Sequence, residues 1–199
     1  GVNGTKHDSD GVLGYAPHNL CLQSEVLGTT WTLSNGTQSA NQIANPVNGG
    51  VTADLFTEAS DTGQHHRISQ DVTWLAGEIH TISVYAKANG RDWLFINAGA
   101  TINAAAYFDL TNGVIGATNE GTASLTSLGD GWYRATITGD ITTDAGTSSA
   151  YIGLSDVDTG GAYNGDGSSG MYLFGAQVNK GSTLLPYVPT TTAAVWTAR

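Results

Sequence analysis

Aromatic and polar side chains alternate along several short apolar runs of this sequence. The outward positions of these runs are occupied by three rings and four polar side chains, Trp93, Tyr107, Tyr151, Arg67, Asn97, Asp109 and His65. Rings stack on the C–H faces of sugars, and guanidinium, amide and carboxylate groups bond to their hydroxyls. If the runs near 64–71, 92–98, 104–110 and 148–155 are neighbours in one sheet, the pattern predicts a saccharide-binding surface.

A second interpretation of the same rings stays open. They could instead pack under loops, against residues 1–18, or at a contact between subunits. An exposed aromatic patch marks an interaction site in each of these cases. The sequence thus favours an interaction surface, with a saccharide and a protein neighbour as its competing occupants.

Residue types that carry catalysis or bind transition metals are present without the required arrangement. His65 and His66 are adjacent on a predicted strand, so they point to opposite faces and do not chelate one ion easily. A glycosidase needs two carboxylates facing each other across a cleft. The glutamates in question lie at strand ends or in loops without such a partner: Glu25, Glu58, Glu78 and Glu120. No GxSxG elbow occurs either, so we predict no enzymatic activity and no catalytic residues.

Acidic residues are frequent in the predicted loops, namely Asp140, Asp144, Asp156, Asp158 and Asp166. Their spacing is not that of an EF-hand. Aspartate accepts hydrogen bonds from the backbone that follows it, so we expect turn formers here. A structural calcium site in one of these loops is left open. No other cofactor is expected.

The elements that must position these residues are short strands. Apolar runs alternate with turn residues at close to ten-residue spacing, which is typical of an all-β chain. The predicted strands lie near 19–24, 51–57, 64–73, 79–88, 92–98, 104–110, 131–138, 148–155 and 170–179. Residues 37–46 could hold a short helical turn at most. One apolar face per strand predicts two packed sheets, a jelly-roll β-sandwich of about nine or ten antiparallel strands.

Length and composition restrict the classes of partner. We predict one domain at 19–190, an extended arm at 1–18 and a tail at 191–199. A formal charge of −10 argues against nucleic acid and anionic membranes, because binding to phosphate needs a basic surface. The sequence contains one cysteine, Cys21, and we expect it to be a small buried hydrophobic residue. Neither an export signal nor an apolar run of membrane-spanning length is expected in this sequence.

A set of segments resembles a jelly-roll domain that recurs in tailed-phage and prophage virion proteins. The segments are NLCLQSE (19–25), TADLFTE (52–58), the run 65–93, FDLTNGVIG (108–116), LGDGWYRATIT (128–138), YNGDGSSGMYLFGAQV (163–178) and PYVPT (186–190). The resemblance covers about residues 12–195. In outline that domain is similar to carbohydrate-binding modules of the concanavalin-like and xylan-binding type.

The resemblance implies a non-catalytic domain on a tail fibre, head fibre or decoration protein, located at the virion surface or outside the cell. It carries over no defined set of ligand-binding residues. The leading hypothesis is attachment to host surface polysaccharide, with other virion proteins as partners and a homo-oligomer left open. The alternatives are a purely structural decoration or oligomerisation domain, and a sugar-targeting module of a polysaccharide-degrading enzyme.

Overall fold

Strands occupy most of the chain in the computed structural model, which describes residues 5–7, 13–74, 77–99, 104–140 and 146–197. In chain order the strands are β1 (Thr5–His7), β2 (Leu13–Tyr15), β3 (His18–Asn19), β4 (Thr32–Ser34), β5 (Gly36–Ala44), β6 (Val51–Glu58), β7 (His66–Trp74), β8 (Ile79–Asn89), β9 (Trp93–Asn97), β10 (Ala105–Asp109), β11 (Val114–Asn119), β12 (Thr122–Gly129), β13 (Trp132–Asp140), β14 (Gly146–Ser155), β15 (Gly170–Lys180) and β16 (Val195–Trp196). Within these ranges no helix has the length and apolarity that crossing a bilayer requires.

Two antiparallel sheets of six strands each form the sandwich. Sheet I has the order β11-β10-β9-β14-β7-β4, and sheet II has the order β12-β13-β8-β15-β6-β5. The chain passes repeatedly between the sheets, since β6, β8, β13 and β15 lie in sheet II and β7, β9, β10 and β14 in sheet I. The predicted all-β jelly-roll sandwich is confirmed.

The core fills the space between the inner faces of the two sheets. Ile68, Leu94 and Phe108 come from sheet I and are fully buried. Val84 and Ile137 meet them from sheet II. Burial of each such side chain contributes about 1.5–3 kcal/mol relative to exposure. The apolar alternation of the sequence predicts one shared face for Ile82, Val84 and Ala86 in β8 and one for Tyr133, Ala135 and Ile137 in β13. Both predictions are confirmed, because these side chains lie in the core or pack against it.

A bulge in β15 reverses the predicted facing of half that strand. The sequence pattern predicts one inward stripe formed by Tyr172, Phe174, Ala176 and Val178. The register shifts between Phe174 and Gln177, and Gly175 has φ 62°. An extra residue in a strand moves the following side chains to the other face. Met171 and Leu173 therefore point into the core before the bulge, while Phe174 packs on the outside of sheet II.

The first predicted strand is wrong, and the short helical turn that the sequence allowed within residues 37–46 does not form. Residues 20–31 form turns and bends after β3 ends at Asn19, although Cys21 is buried as expected. Burial raises the pKa of its thiol to about 12. Residues 36–44 form the edge strand β5 instead of a helical turn. Its side chains are mostly exposed and polar, so no apolar alternation marked it as a strand.

Both ends of the described chain return to the sandwich. β1 pairs with β2, and β3 pairs with β16. The His18 ring stacks on the Trp196 ring at a centroid distance of 3.9 Å. Residues predicted as arm and tail thus contain paired strands, whereas residues 1–4, 8–12 and 198–199 lie outside the described part.

A buried carboxylate holds the long loop between β14 and β15. Glu58 is 2% exposed and accepts hydrogen bonds from Arg91 Nε at 2.9 Å and from the Tyr163 hydroxyl at 2.6 Å. The backbone N–H of Asp166 donates to the same carboxylate at 2.8 Å. Charge-assisted bonds of this kind are stronger than neutral ones. The network fixes this loop against the edge of the sandwich, close to one end of β9 and β14.

Candidate functional site

Strand register in sheet I places the predicted rings on one outward face. Asn97 is opposite Tyr151, and Phe95 is opposite both Tyr107 and Gly153. Gly153 is in turn opposite Arg67. Paired residues in an antiparallel sheet point to the same side, so β10, β9, β14 and β7 share one surface. We call it the aromatic face and define it by Trp93, Phe95, Asn97, Tyr107, Tyr151 and Arg67, all of which are half-buried.

Phe95 and Tyr107 form a ring pair near the centre of this face. Their centroids are 4.9 Å apart and their planes are inclined by 34°. Burial raises the pKa of the Tyr107 hydroxyl, and the charge of Asp158 raises it further. The hydroxyl therefore stays protonated and can donate a hydrogen bond. Phe95 was not among the predicted binding residues, although its alternation with Leu94 and Ile96 indicated an outward side chain.

Tyr151 and Arg67 form a second pair beside the first. The guanidinium carbon of Arg67 lies 4.2 Å from the centroid of the Tyr151 ring. Gly153 separates this pair from Phe95. A Cβ at Gly153 would lie 3.0 Å from Arg67 Cβ and 3.5 Å from Phe95 Cδ1. The missing side chain lets Arg67 and Phe95 approach each other across Gly153, so the two pairs lie close together on the face.

Trp93 lies at the end of the face near the loop that follows β14. Its ring extends over Gly116 of β11, where a Cβ would come 2.6 Å from Trp93 Cζ3. Asp158 crowds the same point and accepts a hydrogen bond from the backbone N–H of Ala117 at 2.7 Å. Gly116 therefore makes room for an indole ring that bridges three strands. Trp93 keeps part of its ring accessible in this position.

The structure corrects the predicted role of Asp109 as a saccharide-binding residue. It points outward but is 7% exposed, and its Oδ1 accepts the backbone N–H groups of Thr111 at 2.9 Å and Asn112 at 3.0 Å. Its Oδ2 accepts the Asn112 side-chain amide at 2.7 Å. Burial raises the pKa of this carboxyl, but these bonds outweigh burial and lower it below its ordinary value. Asp109 stabilises the β10–β11 turn, so it does not offer a free carboxylate to a ligand.

The other polar candidates differ in their position. His65 precedes β7 and is exposed, and its ring lies at the loop beside Gly161, outside the aromatic face. Asn97 lies within the face, and its Oδ1 accepts the backbone N–H of Gly99 at 2.5 Å. Arg67 is therefore the cation that the fold brings next to the rings. His66 points inward, where its Nε2 contacts Asp61 Oδ1 at 2.7 Å.

Among the acidic residues predicted to form turns, Asp166 does so, whereas Asp140 ends β13 and Asp158 accepts the backbone N–H of Ala117. Asp166 accepts bonds from the backbone and hydroxyl groups of Ser168 and Ser169, which hold its pKa well below the ordinary value. Over the described ranges, no group of three or more His, Cys, Asp or Glu side chains is placed to hold a metal ion. Asp144 lies outside those ranges. A calcium ion stays a prediction.

The outer face of sheet II offers a contrast, because the chain itself covers its aromatic residues. Tyr187 packs edge-on against Tyr85 at 5.8 Å. Arg134 donates to the Leu185 carbonyl at 3.1 Å and lies 5.1 Å from the centroid of the Tyr85 ring. The segment 185–188 thus occupies the space above these rings. The aromatic face of sheet I has no such cover from the described residues.

Comparisons with known proteins found similar architectures. No protein-family model matches the sequence, and neither does any curated protein. The enzymatically active domain of tailspike protein 4 of bacteriophage CBA120 aligns at 13% identity and TM-score 0.49, over 81% of this chain and 21% of its own. The chain thus spans about a fifth of that structure.

Two further structures cover most of their own length. A putative sugar binding protein from Bacteroides thetaiotaomicron VPI-5482 aligns at 12% identity and TM-score 0.46, over 82% of this chain and 100% of its own. The CBM22-1 xylan-binding domain of Paenibacillus barcinonensis Xyn10C aligns at 16% identity and TM-score 0.46, over 85% and 97%. The identities and TM-scores are too low to carry a statement about ligand or activity.

Proposed function

We propose that this chain is a non-catalytic carbohydrate-binding domain that attaches a phage-like particle to surface polysaccharide of its host. The observation that carries the binding part is the register of sheet I, which aligns two ring-containing pairs and Trp93 on one face that the described residues leave uncovered. Rings from three different strands on one surface match the flat, repeating C–H faces of a polysaccharide.

The expected affinity of one site is modest. A stacked ring contributes about 1–2 kcal/mol, at roughly 25 cal/mol per Å² of apolar area. Two or three rings then give a dissociation constant of about millimolar to micromolar. A particle that displays many copies binds with an avidity well above the affinity of one site. A weak single site is therefore sufficient for the proposed role.

Contacts of the glutamates support the non-catalytic part of the proposal. Glu58 is bonded to Arg91 and Tyr163, and Glu78 pairs with Lys180 Nζ at 2.6 Å. Each of these carboxylates holds two parts of the fold together, away from the aromatic face. Their contacts fit a structural role and provide no pair of carboxylates across a cleft.

The location on a particle rests on the resemblance of the sequence segments to virion domains. In this proposal the domain is displayed at the virion surface or outside the cell, and its further partners are other virion proteins. A module that targets a polysaccharide-degrading enzyme to its substrate would use the same face. The neighbouring genes distinguish these settings: capsid and tail genes support the particle, and polysaccharide lyase genes support the enzyme.

A structural decoration or oligomerisation domain is the rival of a different class. The observation that favours it is the exposed apolar edge beside the aromatic face, where Val114 is 49% and Ile115 is 42% exposed on β11. A second copy could cover this edge and the rings together. Sedimentation of the purified chain tests this, since the rival requires an oligomer that buries the face.

Binding is tested with a glycan array, followed by titration calorimetry on the ligands found. Trp93→Ala is expected to weaken binding about 5- to 30-fold, since it removes one stacked ring that contributes about 1–2 kcal/mol, with little change in thermal stability. Trp196→Ala is the matched control, because Trp196 is also half-buried but stacks on His18 at the chain ends. Unfolding of Trp93→Ala, or equal binding by both variants, would contradict the proposed face.

A further inference from the structure

Arg67 is placed where a ligand lying across the strands would meet it. It lies in the row Tyr107, Phe95, Gly153, Arg67, which runs perpendicular to the strands. Arg67 and Phe95 are two strands apart, a separation of roughly 10 Å in a sheet. A saccharide in this row would stack one ring on Phe95 and Tyr107 and bring a neighbouring sugar across Gly153 to Arg67.

The guanidinium of Arg67 contacts the Tyr151 ring but has no hydrogen-bond or ion-pair partner among the described residues. Its Nε is buried without a hydrogen-bond partner, and Arg67 forms no ion pair with a described carboxylate. Arginine carries five N–H donors and is always charged, so uncommitted donors next to an apolar ring are costly unless a ligand uses them.

The other arginines in the described ranges donate hydrogen bonds to acceptors of the protein, although the Nε of Arg134 is also buried without a partner. Arg91 is bonded to the Glu58 carboxylate, and Arg134 donates to Ser83 and to the Leu185 carbonyl. With 17 acidic and 7 basic side chains, the sequence offers an abundance of carboxylates for pairing. The fold nevertheless places the guanidinium of Arg67 on the Tyr151 ring, with no acceptor from the described residues. This asymmetry indicates an anion that comes from outside the chain.

The stacking geometry favours a planar anion. A guanidinium held near the face of a ring presents its N–H groups at its edge, where two parallel bonds to a carboxylate are formed. Tyr151 restricts the orientation of the fork before a ligand arrives, so less conformational freedom is lost on binding. A carboxylate on a sugar ring matches both the charge and the shape of this edge.

We propose that the aromatic face recognises an acidic polysaccharide, with Arg67, oriented by Tyr151, pairing with the carboxylate of a uronic acid residue while Phe95 and Tyr107 stack on the adjacent sugar. This inference rests on the proposed carbohydrate-binding function and specifies its ligand class. Arg67 is thereby the specificity-determining residue of the face, and the rings supply binding that does not depend on charge.

The test compares polysaccharides that differ in the carboxyl group alone. Polygalacturonate, alginate and hyaluronan are each used in native form and after chemical reduction of the carboxyl groups, with dextran sulfate as a sulfate-bearing anion. Binding is measured by affinity electrophoresis and calorimetry. At least one native polymer is expected to bind about tenfold more tightly than its reduced form, the size of a charge-assisted hydrogen bond.

Substitutions of Arg67 test whether this residue causes the preference for the native polymer over the reduced one. Arg67→Gln should bind native and reduced polymer alike, with the affinity of the wild-type chain for the reduced polymer. Lys87→Gln is the matched control, since it removes one positive charge from the outer side of sheet II and should keep the preference. Arg67→Lys keeps the charge and the stem but loses the fork, so an intermediate preference is expected even if the Gln variant does not fold.

Each outcome decides the inference. Equal binding of native and reduced polymers by the wild-type chain would overturn it and leave the proposed function standing. Binding of dextran sulfate at least as tight as that of every native uronate would overturn the choice of a carboxylate. Absence of binding to all polymers in both forms would overturn the inference together with the proposed function. A preference that survives in Arg67→Gln would show that the carboxylate is read elsewhere.

Discussion

Acidification should destabilise the chain through two buried histidines at its joined ends. His18 is 0% and His80 is 1% exposed. The Nδ1 of His18 donates to the Ala16 carbonyl at 2.7 Å, and its Nε2 accepts the backbone N–H of Lys180 at 2.8 Å. A proton on Nε2 would face that N–H donor, so the neutral ring is the form that fits. The perturbation is therefore a fall in pH below the ordinary histidine range.

The surroundings of both histidine rings lower their pKa values overall. Burial lowers the pKa of His18, the bond to Ala16 raises it, and the charge of Lys180 lowers it, with a lowered value as the result. Burial also lowers the pKa of His80 and outweighs the raising effect of Glu78, while Lys180 and His18 lower it further. Both rings therefore bind a proton more weakly in the folded chain than in the unfolded chain.

The magnitude follows from this difference. Below about pH 6.5 the unfolded chain takes up protons that the folded chain refuses, so stability falls as pH falls and stops falling below the folded pKa values. Between about pH 7.5 and about pH 5.5, each histidine lowers the free energy of unfolding by at most about 1.4 kcal/mol. This maximum applies when the pKa of the folded chain lies far below that range. The two histidines together lower the free energy of unfolding by at most about 2.7 kcal/mol over this window. The ordinary pKa values of aspartate and glutamate side chains lie below this window.

Urea unfolding followed by tryptophan fluorescence measures this loss across the pH window. The variant His18→Gln separates the contribution of one ring, because its amide oxygen can accept the Lys180 N–H but does not titrate. It should show about half of the wild-type change. An unfolding free energy that stays constant between about pH 7.5 and about pH 5.5 would refute the reasoning. An identical pH response of wild type and variant would exclude His18 as a source.

Two further predictions concern stability. Glu58→Gln removes the charge that pairs with Arg91 in a buried network, so we expect a loss of about 3–5 kcal/mol in urea unfolding; a loss no larger than that of an exposed substitution would contradict the structural role of the network. Gly175→Ala places a Cβ at φ 62° and 2.9 Å from Tyr85, so a loss of about 1–2 kcal/mol is expected. An unchanged midpoint for that variant would argue against the bulge.

Strands with neighbours on both sides were predictable, and the strands at the edges were not. The runs around β8 and β9 carry clear apolar alternation because one face of each packs into the core. The edge strands β4, β5, β11 and β12 were all missed. They are largely exposed, so their sequences lack the alternation that burial imposes. Apolar alternation in the sequence therefore reports the burial of one strand face rather than β-structure itself.

For the candidate site, alternation predicted which side chains leave the core, but not what they meet. Trp93, Tyr107, Tyr151 and Arg67 were assigned outward positions, and the structure gives them those positions. Asp109 was assigned the same direction, yet its turn takes up its oxygens. A period of two encodes the direction of a side chain, whereas its hydrogen-bond partners depend on the geometry of the following turn.

By itself the sequence determined an all-β chain with one apolar face per interior strand, because hydrophobic burial acts through local alternation. The tertiary structure alone decided that β14 pairs between β9 and β7, which brings Arg67 onto Tyr151 and both beside Phe95. It also decided that β15 bulges at Gly175. Pairing between distant segments depends on the packing of the whole sandwich, so no local pattern contains it.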